Sequence, residues 1–99
     1  MIAKKQVAEI VKQDLKEAAF WYENAKKGLG LLFLKKINQK VNQIAKNPLA
    51  YQIRYANIRV AFTSTFPYGI HYVYDESENR VIILAVFHTA VNPNTWNDR

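Results

Sequence analysis

The chain has 99 residues, 49% of them hydrophobic and 22% charged, the balance of one globular domain (residues 1–99) rather than of a disordered chain. It has no cysteine, which excludes disulfide frameworks and thiolate metal sites, and its longest apolar run, Val81 to Phe87, is too short to span a membrane. Fourteen Lys and Arg against eight Asp and Glu give a net charge of +6, which favours nucleic acid, an anionic surface or an acidic protein as partner. The N-terminal stretch has charges every few residues and no unbroken apolar segment, so neither a signal peptide nor a membrane span is expected there, and the lack of cysteine fits a reducing cytoplasm.

The first segment allows two readings. Val7, Ile10, Val11, Leu15, Ala18, Ala19 and Tyr22 follow the spacing of one helical face, so a single helix could start near Lys4. Alternatively, a short strand over Ala3–Val7 precedes a helix from about Glu9 to Ala25. Lys26-Lys27-Gly28-Leu29-Gly30 then breaks the helix and reverses the chain. A second helix is predicted from about Leu31 to Lys46, with Phe33, Leu34, Ile37, Val41 and Ile44 on one stripe and most of its lysines off it. Asn47-Pro48 stops it, because proline disfavours a helical residue before it and has no N–H to donate. Two helices joined so closely form an antiparallel hairpin.

Strands follow. Ile53 to Ser64 reads as one extended run with a bend at Ala56-Asn57, Tyr68 to Asp75 as the next strand, and Arg80 to His88 as the last. The near-continuous apolar run of the last strand implies a central position. Asn92 to Trp96 reads as a terminal turn or short helix start. The fold class is therefore α+β: a short N-terminal strand and an antiparallel helical hairpin on one face of a mainly antiparallel sheet of three to four strands. Tyr68, Tyr72 and Tyr74 are expected to face the helices, and Trp21 and Trp96 to anchor packing.

Several segments carry a family resemblance. Asp14 to Tyr22 is similar to a "DL.EA..WY" helix, and Gly28-Leu29-Gly30 with Phe33 to a "GLG..F" helix start. Phe66-Pro67-Tyr68 with Ile70 and Tyr72 is similar to an "FPY.I.Y" strand. Ala85-Val86-Phe87-His88 with Pro93 and Trp96 is similar to "AVFH....P..W". In order and spacing these resemble the RelE/ParE superfamily of toxins from type II toxin–antitoxin systems, known also from plasmid stabilisation, and the ParE-like branch more closely. The resemblance favours the N-terminal strand over the long helix. It implies an antitoxin partner, and the chain's positive charge implies that this partner is acidic. It also implies one of two targets: DNA gyrase for ParE-like toxins, or messenger RNA on the translating ribosome for RelE-like ones. A degenerate, non-toxic relative is a third reading. Two cationic positions typical of the RNA-cutting branch are occupied here by Gly69 and Val91.

If the protein is an enzyme, it would be a metal-independent endoribonuclease, which needs a base, an acid and cations around the phosphorane. No metal and no cofactor are expected, since two histidines 17 apart without cysteine make no recognisable ligand set. Strand alternation puts Gly69, His71, Val73 and Asp75 on one face. If the preceding strand shows Arg59, Ala61 and Thr63 on that face, Arg59 is the neighbour of His71, and His88 ends the last strand beside them. The expected catalytic cluster is therefore His88, Arg59 and His71, with Arg54 as a phosphate contact. A bland reading stands beside it: His71 as a packing residue, His88 bonded to the C-terminal turn, and Arg59 paired with Asp75 or Glu76. An unpaired strand at the sheet edge could join a second copy, giving a homodimer, or the antitoxin in a toxin–antitoxin hetero-oligomer.

Overall fold

In a computed structural model, residues 2–90 are described. The elements are β1 (Lys4–Val7), α1 (Glu9–Ala25), α2 (Leu29–Lys46), β2 (Ile53–Tyr55), β3 (Ile58–Phe62), β4 (Tyr68–Asp75) and β5 (Arg80–His88). They form an α+β fold with a mixed five-stranded sheet ordered β1-β5-β4-β3-β2. β1 runs parallel to β5, and the other pairs are antiparallel. The expected Asn92–Trp96 turn lies outside the described residues.

The N-terminal ambiguity resolves to a strand. The lysine-rich segment has weak strand propensity, but β5 offers it an edge, and the backbone of Ala3 and Lys4 is held by Ala45 and Asn79 carbonyls. The run expected as one bent strand is two, because Ala56 adopts φ 46° and the chain folds back into a tight hairpin there. The sheet therefore has five strands instead of three or four, and the parallel β1 makes it mixed.

α1 and α2 form the expected hairpin. Gly28 takes φ 88°, a left-handed conformation glycine adopts without strain. One carboxylate then fastens the turn: Glu23 of α1 accepts from the backbone N–H of Gly28 at 2.9 Å and of Gly30 at 3.0 Å. These are among the N–H groups that a helix start leaves unsatisfied, so an acid here replaces the missing side-chain cap of α2. Gly30 lies against α1, where a Cβ would strike the Ala19 carbonyl and sit 3.1 Å from the Glu23 Cβ.

The core lies between the hairpin and one sheet face. Val11, Phe33, Ile37, Val41 and Ile44 from the helices meet Ala61, Ile70, Tyr72, Val81, Ile83 and Val86. Tyr22, Phe33, Phe66 and Tyr68 join as an aromatic cluster, with centroids 4.9 Å apart at the closest pair, Tyr22 and Phe66. Tyr68, Tyr72 and Tyr74 face the helices as expected. The buried Tyr72 hydroxyl donates to the Pro48 carbonyl at 2.6 Å, which ties the sheet to the end of α2. Trp21 departs from expectation: it is 67% exposed and packs edge-on against Tyr22 instead of anchoring the core.

Candidate functional site

Two features of the sheet decide where the polar side chains go. The first is register. Val60, not Arg59, pairs with His71, and Arg59 pairs with Tyr72. Partners across a ladder share a face, so Arg59 lies on the helix-covered face and His71 on the outer face, where no described helix packs. The second is a bulge. His71 pairs with Ala85 but Tyr72 with Ile83, so Leu84 is an extra residue in β5. Before it, Val81 and Ile83 face the helices. After it, Val86 and His88 do. One extra residue thus carries His88 to the face opposite His71.

The expected cluster of His88, Arg59 and His71 is therefore not assembled. Arg59 donates to the Tyr51 carbonyl at 2.6 Å, and not to Asp75 or Glu76. His88, at the far end of the sheet, packs edge-on against Tyr68 at 5.3 Å, and its Nδ1 accepts from the Ala90 N–H at 3.0 Å. Tyr68 pairs with His88 and Tyr72 with Arg59, so four residues of β4, about 13 Å of extended chain, separate the two.

His71 is buried, 1% exposed, in a row with Val60 and Ala85. Its Nδ1 lies 2.8 Å from the Tyr55 hydroxyl and its ring 4.9 Å from that of Phe87. Burial lowers its pKa to about 4, so the ring is neutral at physiological pH. Arg54, the expected phosphate contact, stacks 5.5 Å from the ring of Phe62 on this same face. Gly69, paired with Phe62, leaves room for that ring: a Cβ at Gly69 would come within 3.2 Å of it. The outer face thus presents Arg54, Phe62 and the half-buried Tyr55 around a sealed His71.

Opposite polarity appears on the hairpin. Ala19, Phe20, Leu31 and Leu34 line an apolar groove of about 370 Å³, flanked by Lys16, Glu23 and Gly30. Phe20 is 69% and Leu31 74% exposed. The periodicity that selects the core stripe leaves both off it, and that is the signal in the sequence that marks them. Among the described residues, no group of three or more His, Cys, Asp and Glu could hold a metal ion, and no helix is long and apolar enough to cross a membrane.

This architecture is that of small toxins of the RelE type. The fold is similar to the isolated RelE toxin of E. coli, with a TM-score of 0.67 and 11% identity over 97% of this chain and 94% of that one. It is likewise similar to a chain of the RelBE2 toxin–antitoxin complex of Mycobacterium tuberculosis, with a TM-score of 0.62 and 16% identity over 89% of this chain and 99% of that one. No curated protein matches the sequence. The profile described as the ParE toxin of the type II toxin–antitoxin system parDE matches residues 6–93, and the chain belongs to that family within the RelE/ParE superfamily.

Proposed function

We propose that this toxin arrests growth in the cytoplasm by binding DNA gyrase, without chemistry of its own, and that an acidic antitoxin neutralises it. The observation that carries this reading is the dispersal of the candidate catalytic groups. A metal-independent ribonuclease needs its acid, base and cation around one phosphate. Here Arg59 and His88 lie on one face, held by Tyr51 and by the Ala90 N–H, while His71 is sealed on the other. The family match to ParE supports the same target.

For the antitoxin, the groove between Phe20, Leu31 and Leu34 supplies apolar area, and the +6 charge would speed encounter with an acidic chain. The M. tuberculosis relative was itself solved as a toxin–antitoxin complex, which supports such a partner.

The test combines two assays. Purified toxin is incubated with gyrase and supercoiled plasmid, and 5′ ends of cellular RNA are mapped minutes after induction. Accumulation of gyrase-cleaved linear DNA, with messages intact, is the expected result. Codon-phased new 5′ ends would replace it with a ribosome-dependent endonuclease that assembles His88 and Arg59 only on its target. Normal growth with neither effect would identify a disarmed relative.

A further inference from the structure

The charge of this chain is unevenly placed. Residues 24–74 hold eight of the fourteen Lys and Arg and none of the eight Asp and Glu. That segment runs from the end of α1 through α2, β2, β3 and most of β4. Within it lies a pocket of about 70 Å³ between α2 and the turn from β3 to β4. Lys36, Gln39, Lys40 and Gln43 line it from the helix, and Thr63 and Ser64 from the turn.

We propose that this pocket seats a phosphodiester of a nucleic-acid backbone. Lys36 and Lys40 are one helical turn apart, so their like charges repel, and no acidic side chain lines the pocket to offset them. The ion pair among the described residues, Lys12 with Glu9, is in α1. An anion between the two ammonium groups removes that repulsion, and the Gln39 and Gln43 amides and the Ser64 hydroxyl supply further donors.

The pocket is also built rather than loose. Lys40 lies 5.8 Å over the ring of Tyr51, whose carbonyl accepts from Arg59, so two cations gather around one tyrosine. The Thr63 hydroxyl is bonded to the Phe66 carbonyl, which fixes the turn. The pocket, of about 70 Å³, is several times the roughly 10–15 Å³ needed to admit one water, so a small polyatomic group can enter it.

A nucleic acid fits better than an acidic peptide. A peptide that folds on binding draws most of its affinity from buried apolar side chains, and this pocket is lined by amide, hydroxyl and ammonium groups. The apolar groove lies on the opposite flank of α2, around Leu31 and Leu34, at 100° per residue of helix. The antitoxin and a nucleic acid can therefore occupy different sides of the same helix. The inference does not depend on the proposed target: DNA held by gyrase and RNA held by a ribosome both present this backbone.

The test is fluorescence anisotropy on the full-length protein with two probes, a DNA duplex of about thirty base pairs and a single-stranded RNA of about twenty nucleotides. Wild type is compared with Lys36→Ala/Lys40→Ala, with Lys36→Arg/Lys40→Arg, and with Lys4→Ala/Lys12→Ala, which removes the same charge outside the pocket. Circular dichroism confirms that each variant is folded. Losing the one phosphate held in this pocket should shrink the affinity change between about 50 and 200 mM salt by about 3.5-fold on DNA and about 2.6-fold on RNA. The arginine variant should retain binding, and the distant alanine pair should lose much less. Response to one probe alone identifies which nucleic acid the pocket prefers. Equal losses in both alanine pairs would reduce the effect to net charge and overturn the site. So would unchanged binding in Lys36→Ala/Lys40→Ala, or capture of polyglutamate through these lysines with no binding of either probe.

Discussion

His71 shows how one residue's surroundings set a measurable property of the whole protein. Its ring is held neutral by burial, with a pKa near 4 against 6.5 for an exposed imidazole. Above pH 6.5 both folded and unfolded chains carry it neutral, and it contributes no pH dependence. As pH falls from about 6.5 to about 4, the unfolded chain takes a proton that the folded chain refuses, so stability declines across that window, by at most about 3 kcal/mol. Urea titrations at a series of pH values should show this decline, and His71→Asn should flatten it. Gly30 is a second such residue. An added methyl normally favours a helix by about 1 kcal/mol, but here it would meet the backbone of α1. Gly30→Ala should therefore destabilise the protein by about 1–3 kcal/mol, with equilibrium unfolding as the measure.

At the scale of elements, two local devices join strands and helices that propensity alone would not hold. The carboxylate of Glu23 reaches from α1 to the start of α2 and caps it from outside its own helix. Glu23→Gln keeps the shape and removes the charge, so it should lower the melting temperature by an amount corresponding to about 1 kcal/mol. At the β2–β3 turn, Ala56 occupies a left-handed conformation at φ 46°. Glycine takes that conformation without strain, so Ala56→Gly should raise stability by up to about 1 kcal/mol in the same melts. The fold was largely legible at this scale. Strands β4 and β5 and the end of α1 lie where the periodicity and turn residues put them, because amphipathic spacing and chain punctuation act over a few residues, whereas the start of α1 at Glu9 was favoured by the family resemblance and not by the spacing. β2 and β3 were read as one strand because Ala56 is not a residue that announces a left-handed turn.

At the scale of the molecule, the two sides of α2 carry different chemistry. Leu31 is among the most exposed apolar side chains and belongs to the groove proposed for the antitoxin. Leu31→Asp should leave the fold intact and weaken binding of the cognate antitoxin at least about tenfold, read by calorimetry, since the charge would be desolvated on docking. If affinity is unchanged, the antitoxin uses another surface, such as the edge strand β1 or β2.

The sequence by itself determined the fold class, the helical hairpin and the family, because these depend on periodicity, on turn residues and on the order of short motifs. It also determined that Tyr68 and Tyr72 face the helices, since they alternate with Gly69 and His71 along one strand. Only the tertiary structure decided which polar residues meet. The pairing of Val60 with His71 separates Arg59 from that histidine, and the extra residue at Leu84 turns His88 to the other face. A one-residue change in register or a single bulge reverses the face of every side chain beyond it. Neither leaves a mark in the local pattern of residues, because both are set by the neighbouring strand.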